Sequence, residues 1–297
     1  MKILVTGARG MLGHAIRQVF TVAGHDLILT GSIELNVQDI RQVLRYEKKD
    51  IDLIIHAAAE TDHLSAEFNP LGCYMTNVTG TMNMVELARR LHIPIVYIGT
   101  CGIYDGSQES YKESDWPCPL NHYGWSKYYG EQIVRGYSKH YIFRCGWGMG
   151  GGPGIDKKFI NKVYAHILTG VKQIDAIADV FGSPTYHPDL ARTIERFVSA
   201  KNAPVFGIYN CGGERASRYE VAYEFVKALG LAGDVIVYPV SYERYHEDHP
   251  VYVPYTKCEV LDLAKINKTG LSCMRPWKEA LGEYALLWKY ITFKGYK

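Results

Sequence analysis

Little in this sequence pulls it toward a charged partner. Lys and Arg number 33 against 31 Asp and Glu, a formal net charge of +2 over 297 residues. Basic residues come only as doublets, such as Lys48-Lys49, Arg89-Arg90 and Lys157-Lys158. A nucleic-acid or membrane-surface ligand calls for a basic stripe, so neither is expected. No apolar run approaches the roughly 18 residues that cross a bilayer. The opening MKILVTG passes from one lysine into strand-like residues, without the apolar stretch of a signal peptide. The seven cysteines are odd in number, scattered and free of any C-x-x-C pair. That pattern argues for reduced thiols in a cytoplasmic protein rather than disulfides or a zinc site. Internal repeats and low-complexity segments are also missing.

What is present is a regular alternation in the first half. Short apolar runs, KILVTG (2–7), HDLILTG (25–31), DLIIHAAA (52–59), PIVYIGT (94–100) and HYIFRCG (140–146), read as strands. Amphipathic stretches at 11–23, 38–47, 73–91 and 122–138 read as helices. Strands and helices alternating at this spacing imply βαβ units, hence a Rossmann-type, doubly wound parallel sheet. Ligands of such sheets bind beyond the carboxyl ends of the strands. The stretch GWGMGGGPG (146–154) then breaks the pattern with six glycines in nine residues, a candidate boundary or mobile loop. The division drawn is therefore a cofactor domain over 1–147 and a mainly substrate-binding region over 148–297. Segment 203–213, containing the strand-like VFGIYNC, is a candidate to return to the sheet.

GARGMLG (7–13) joins the first strand to the first helix and places Gly7, Gly10 and Gly13 around Arg9, Met11 and Leu12. Glycines there let the backbone turn sharply and approach a pyrophosphate, which then meets the helix N-terminus. The second strand ends Leu29-Thr30-Gly31-Ser32, with no acid before Glu34 to hold a ribose 2′-hydroxyl. Arg9 could meet a 2′-phosphate instead, which leans toward NADPH, with NADH the alternative. Asn36, next to Val37, is a candidate for the adenine amino group or an ordinary turn residue.

Tyr123 and Lys127 share one helix face at four-residue spacing. Two further pairs, Tyr223/Lys227 and Tyr290/Lys294, have the same spacing, and with 23 tyrosines in the chain spacing alone cannot choose among them. Context does. Tyr123 follows the strand that ends in Thr100, on the side of the glycine loop. An ammonium about 5 Å away favours a phenolate by roughly 3 kcal/mol at an effective dielectric of 20, which would bring the phenol toward the range of acid–base catalysis. A Thr100 hydroxyl could share the substrate oxygen.

The series GARGMLG, HAAAETD (56–62), NVTGT (77–81), YIGTCGIYDG (97–106), YKESDWPCPLNHYGWSK (111–127) and VFGSPTYHPDLA (180–191) resembles the extended short-chain dehydrogenase/reductases. Within them it is similar to the dTDP-4-dehydrorhamnose reductase family, which reduces the 4-keto group of a nucleotide-linked 6-deoxyhexose. The resemblance implies Tyr123 as proton donor, Lys127 as its modulator and nicotinamide-ribose ligand, and Thr100 in the family's Ser/Thr position. It implies that Ala57, Ala58 and Ala59 line the cofactor cleft, with Asn77 near the lysine. On the sugar side it implies Thr61, Cys101, Gly102, Trp147, Ser183 and Tyr186. Departures cluster on that side. The family's Thr-Asp-Tyr-Val-Phe-Asp-Gly is Thr100-Cys101-Gly102-Ile103-Tyr104-Asp105-Gly106 here, and an acid usual near position 64 is Leu64, for which Asp62 or His63 could substitute. Ala15 stands where some members bind Mg²⁺ through a glutamate, so no metal is expected.

The expected activity is thus NAD(P)H-dependent reduction of a nucleotide-sugar 4-ketone. A nucleotide-sugar epimerase or dehydratase, and a non-catalytic NADP-binding regulatory subunit, are the alternatives. His246, Glu247, Asp248 and His249 read as an exposed loop rather than a metal site, and His56 as a hydrogen-bonded core residue. Trp277, Trp288 and the Tyr-rich tail are expected to pack against the sheet or a second subunit, which keeps a homodimer among the expectations.

Overall fold

The computed structural model describes residues 1–248 and 253–295, except the side chains of Asp248 and of 290–295. Strands β1 (Lys2–Thr6), β2 (Asp26–Thr30), β3 (Leu53–His56), β4 (Ile95–Thr100) and β5 (His140–Cys145) form one parallel sheet. The strand Gly207–Asn210 joins it beside β5, giving the order Gly207–Asn210, β5, β4, β3, β1, β2. Both faces of this sheet are covered, so β3 and most of β4 are continuously apolar instead of alternating. One face carries helix α1 (Met11–Val22) and the helix His187–Ser199, around Ile16, Phe20, Ile194 and Phe197. The other carries the helices Gly80–Leu91 and His122–Arg135, around Met84, Leu87 and Val134.

The order reverses between β1 and β3, so the loops after these two strands open the crevice where a parallel sheet binds ligands. Strand-like DLIIHAAA stops at His56, and the chain leaves the sheet with Ala57 and Ala58 against Gly7. The expected helix over 73–91 is three pieces: Pro70–Tyr74, a π-helical turn at Met75–Thr79, and Gly80–Leu91. A short helix, His63–Phe68, precedes them and was not legible in the sequence. The π turn carries Asn77, in keeping with the tendency of such turns to mark functional positions.

The remainder forms a smaller lobe. Gln173–Ile177 pairs in parallel with Ile236–Val240, and Phe181–Gly182 lies between Ala216–Ser217 and Cys258–Glu259. The helices Phe159–Leu168, Arg218–Leu229 and Trp277–Gly295 complete it. Trp277 and Trp288 pack inside this lobe with Tyr164, Phe225 and Tyr284, rather than on the parallel sheet or at an outer face. The longest helix lies in the tail that looks least periodic, because its apolar residues face a core built by distant segments. No helix among the described residues is long and apolar enough to cross a membrane.

Candidate active site

The glycine loop is fixed by close packing. Gly7 has φ of 68°, and a Cβ there would stand 2.6 Å from the Ala57 carbonyl oxygen. A Cβ on Gly13 would stand 2.3 Å from the Gly7 carbonyl oxygen. Gly10 caps α1 without a side chain to occupy the first N–H groups, and no acid sits in the first turn. Met11 and Leu12 thus begin a helix whose partial positive end is open to an anion. This cradle fits the pyrophosphate of a dinucleotide.

Beyond β2 the chain folds back toward the glycine loop. Arg9 is paired with Glu34, and the second Glu34 oxygen accepts from the Gly31 N–H at 2.8 Å. The turn after β2 thus brings an acid back to the strand end, where the linear sequence had placed none. The Gly31 amide and the Arg9 guanidinium hold this carboxylate below its usual range. Asn36 Oδ1 accepts from the Gln38 N–H at 3.1 Å, the geometry of a turn residue, and Val37 is buried against Gly80.

Tyr123, Thr100 and Lys127 converge at the end of β4. Thr100 ends that strand, and its Oγ1 accepts from the Gly102 N–H at 3.1 Å. The helix carrying Tyr123 and Lys127 starts at His122, capped by Asn121, whose Oδ1 accepts from the Gly124 N–H at 2.8 Å. Tyr123 is buried, and burial pushes its phenol above the ordinary range; the Thr100 hydroxyl acts the other way, while Cys145, Cys101 and Glu259 add to the rise. Lys127 does not set this balance. Its ammonium lies 4.1 Å from the centroid of the Tyr97 ring, and burial lowers its own pKa to about 8. Burial, not the lysine, dominates the shift of the phenol. In the free protein Tyr123 is held protonated, which is the state a proton donor requires.

Asn77 ties the pieces together. Its Nδ2 donates to the Glu60 carbonyl at 3.0 Å and to Ser126 Oγ at 2.9 Å, and its Oδ1 accepts from the Glu60 N–H at 2.8 Å. Ser126 Oγ in turn donates to the Tyr123 carbonyl at 2.7 Å. The loop after β3 and the Tyr/Lys helix are therefore locked by one buried amide. One turn beyond Lys127, Glu131 pairs with Arg144 of β5 at 2.6 Å, both fully enclosed. His56 donates to or accepts from Thr6 and Thr81 and is kept neutral by burial, as a core residue.

The sugar side is divided. Cys101 and Gly102 lie beside Tyr123, and Glu259 ties them to Trp147: the indole N–H donates to Glu259 Oε2 at 2.8 Å, and the Cys101 thiol reaches the same oxygen at 3.6 Å. Ser183 and Tyr186 have partners within the chain. Ser183 Oγ accepts from the Leu261 N–H, and the Tyr186 hydroxyl donates to Glu283, both inside the small lobe. Thr61 is exposed, its carbonyl and hydroxyl accepting from Lys158. Asp62 caps the helix that His63 begins, and the His63 ring stacks on Tyr123 at 4.4 Å, while Leu64 is exposed.

Three neighbours of this space carried no sequence signal, Glu259, Arg218 and Tyr255, and His63, named there only in place of a missing acid, contributes a stacked ring. The Arg218 guanidinium lies 3.5 Å over the Trp147 ring, and Tyr255 stacks on His63 at 5.3 Å. Burial lowers His63 to about 4, with Lys158 and Arg218 adding to the effect. The other Tyr/Lys pairs are elsewhere: Tyr223 is exposed and Lys227 pairs with Glu224 on a small-lobe helix. The side chains of Tyr290 and Lys294 lie outside the described residues, as does His249. His246 meets Tyr242 edge to face, and Glu247 pairs with Arg244. All seven cysteines are free. Among the described residues, no group of three His, Cys, Asp or Glu converges as metal ligands do.

Comparison with known proteins agrees with this arrangement. Residues 1–289 match the family described as RmlD substrate binding domain. The chain is 29% identical to a dTDP-4-dehydrorhamnose reductase of Mycolicibacterium smegmatis, covering 94% of this chain and 84% of that protein. A Bacillus anthracis dTDP-4-dehydrorhamnose reductase, crystallised with NADP, superposes with a TM-score of 0.86 at 27% identity, over 96% of this chain and 98% of that one. A third relative, methionine adenosyltransferase 2 subunit beta of Xenopus laevis, is 24% identical over 100% of this chain and 90% of its own length. A parallel sheet with a glycine loop at its switch point, a Tyr/Lys helix beside β4 and a full-length family match lead to one conclusion: the chain belongs to the RmlD family of extended short-chain dehydrogenase/reductases, homologous to the dTDP-4-dehydrorhamnose reductases.

Proposed function

We propose that the protein is an NAD(P)H-dependent reductase of a nucleotide-linked 4-keto-6-deoxy sugar, with residues 1–147 holding the cofactor and most of 148–297 the sugar nucleotide. The observation that carries this reading is the buried Tyr123 phenol beside the Thr100 hydroxyl, at the carboxyl end of β4. A bound reduced nicotinamide supplies a hydride to the carbonyl carbon. Gly7, Gly10 and Gly13, with the first N–H groups of α1 at Met11 and Leu12, hold the pyrophosphate. Arg9 and Glu34 lie at the adenosine ribose, and Ala57, Ala58 and Ala59 line the wall opposite the loop. Thr100 Oγ1 and Tyr123 Oη hold the carbonyl oxygen, and Tyr123 transfers its proton to that oxygen as negative charge develops there. Lys127 stabilises the phenolate this leaves and is the ligand for the nicotinamide-ribose hydroxyls. Asn77 keeps the loop and helix at the spacing the transfer needs. Cys101, Gly102 and Trp147 border the sugar.

The test is turnover of NADPH and NADH with dTDP-, UDP-, GDP- and CDP-linked 4-keto-6-deoxy sugars, on wild type and Tyr123→Phe. Loss of the proton donor should lower kcat by about 10²–10⁴-fold, with cofactor affinity little changed. A Tyr123→Phe enzyme that reduces substrate at the wild-type rate refutes the assignment. Tightly held NAD with no net consumption of reduced cofactor would instead identify an epimerase or dehydratase. Cofactor binding without turnover on any of these ketones would identify a regulatory subunit.

A further inference from the structure

One carboxylate beside the reacting centre has bonding capacity that the protein does not use. Glu259 ends the two-residue strand Cys258–Glu259 of the small lobe. Its Oε2 is committed to the Trp147 indole and the Cys101 thiol. Its Oε1 has no donor among the described residues. That oxygen lies 3.7 Å from where a Cβ on Gly102 would stand, and the same point is 3.4 Å from Thr100 Oγ1 and 3.6 Å from Tyr123 Cε1. The side chain that Gly102 lacks thus leaves a space walled by the Thr100 hydroxyl, the Tyr123 ring and the free Glu259 oxygen. Arg218, stacked on the far part of the same cluster over Trp147, makes no hydrogen bond among the described residues, and its charge acts directly on Glu259.

Resting on the reductase reading above, we propose that Glu259 determines specificity in the sugar pocket. Its Oε1 accepts a hydrogen bond from a ring hydroxyl of the sugar held by Thr100 and Tyr123, and Arg218 balances its charge against the anionic diphosphate. The chemistry favours such a role. A hydroxyl donating to a carboxylate makes a stronger bond than one between neutral groups. A pocket built around such an acceptor also rejects sugars that lack the hydroxyl, because the oxygen, once covered by the sugar, is then left without a donor. The acceptor comes from the small lobe rather than from the segment after Thr100, where Cys101-Gly102 offers no acid. It therefore selects a hydroxyl from a different direction than an acid at position 101 would.

The experiment is calorimetric titration of NADP⁺-loaded protein with dTDP-glucose and UDP-glucose, and with their 2-deoxy and 3-deoxy analogues. Wild type should bind at least one parent roughly 10- to 100-fold more tightly than one of its deoxy analogues. Glu259→Ala should erase that preference while circular dichroism and NADP⁺ affinity stay unchanged. Glu259→Gln keeps the size and the Trp147 contact, and carries the test alone if the alanine variant does not fold; it should cut the preference at least about threefold, since the acceptor is no longer charged. A preference that survives both substitutions, or a wild type with no preference at either position, overturns the inference and leaves the reductase reading standing. A wild type that binds neither parent overturns the inference, and the reductase reading falls with it only if none of the four nucleotide-linked ketones is turned over.

Discussion

Replacing Glu131 by alanine should unfold this protein far more readily than the loss of one side chain suggests. Glu131 is on the Tyr/Lys helix and Arg144 on β5, and the side chain of each is 1% exposed. Two bonds join them, at 2.6 Å from Arg144 Nη2 and 2.9 Å from Nε. Nη1 reaches the Tyr104 hydroxyl at 2.5 Å and the Glu113 carbonyl at 3.2 Å. These last two acceptors are neutral. Without Glu131 the guanidinium is therefore a buried cation with no counter-charge, and removing one partner of such a pair costs about 3–5 kcal/mol. Urea denaturation followed by far-UV circular dichroism measures it. With a slope near 3 kcal/mol/M, the upper end for ordinary domains, the midpoint should fall by roughly 1–1.7 M. The double variant Glu131→Met/Arg144→Met should recover at least about half of the loss, because an apolar pair of similar volume needs no counter-charge. A single variant within about 1 kcal/mol of wild type, or a double variant less stable than the single one, would show that the pair is not the buried, mutually dependent unit described here.

Two further outcomes follow from the charges around the site. Burial lowers the Lys127 ammonium from 10.5 to about 8, so the unfolded chain binds the extra proton between those values; the penalty is full below pH 8 and fades as pH rises toward 10.5. Lys127→Met should therefore be more stable than wild type at pH 7, by on the order of 2–3 kcal/mol, with the gain shrinking toward pH 10 as turnover is lost. A variant less stable than wild type at pH 7 in urea would contradict this. Glu34→Gln removes the acid that pairs with Arg9 at the ribose end, so the ratio of kcat/KM for NADPH over NADH should rise about fivefold, the effect of roughly 1 kcal/mol between solvated charges. An unchanged ratio would place the 2′ position away from this pair.

The parallel sheet was legible because strands buried on both faces must be short and continuously apolar, as LIIH and IVYIGT are. The glycine loop was legible because only Gly meets the backbone demands at Gly7 and the contact at Gly13. Tyr123, Lys127 and Thr100 could be chosen because position relative to the strands narrows a common spacing to one pair. Element edges and the short helix His63–Phe68 were not legible, since they depend on caps and on Asn77 bonding across the site. Ser183 and Tyr186 resemble sugar-side residues in sequence, yet their polar atoms satisfy the small lobe.

By itself, then, the sequence determined the layered α/β architecture, the phosphate cradle and the identity of the proton donor candidate. Each of these rests on local periodicity, backbone conformation, or residues close together in the chain. Tertiary structure alone decided what surrounds that donor. Glu34 reaches Arg9 through a turn, and His63 stacks on Tyr123 from a helix 60 residues earlier. Glu259 and Arg218 arrive from the small lobe, one at the indole N–H of Trp147 and one over its ring. Burial, which raises the Tyr123 phenol and lowers the Lys127 ammonium, is likewise a property of the packed molecule. Desolvation and charge act through space, and no spacing along the chain encodes which distant groups will share it.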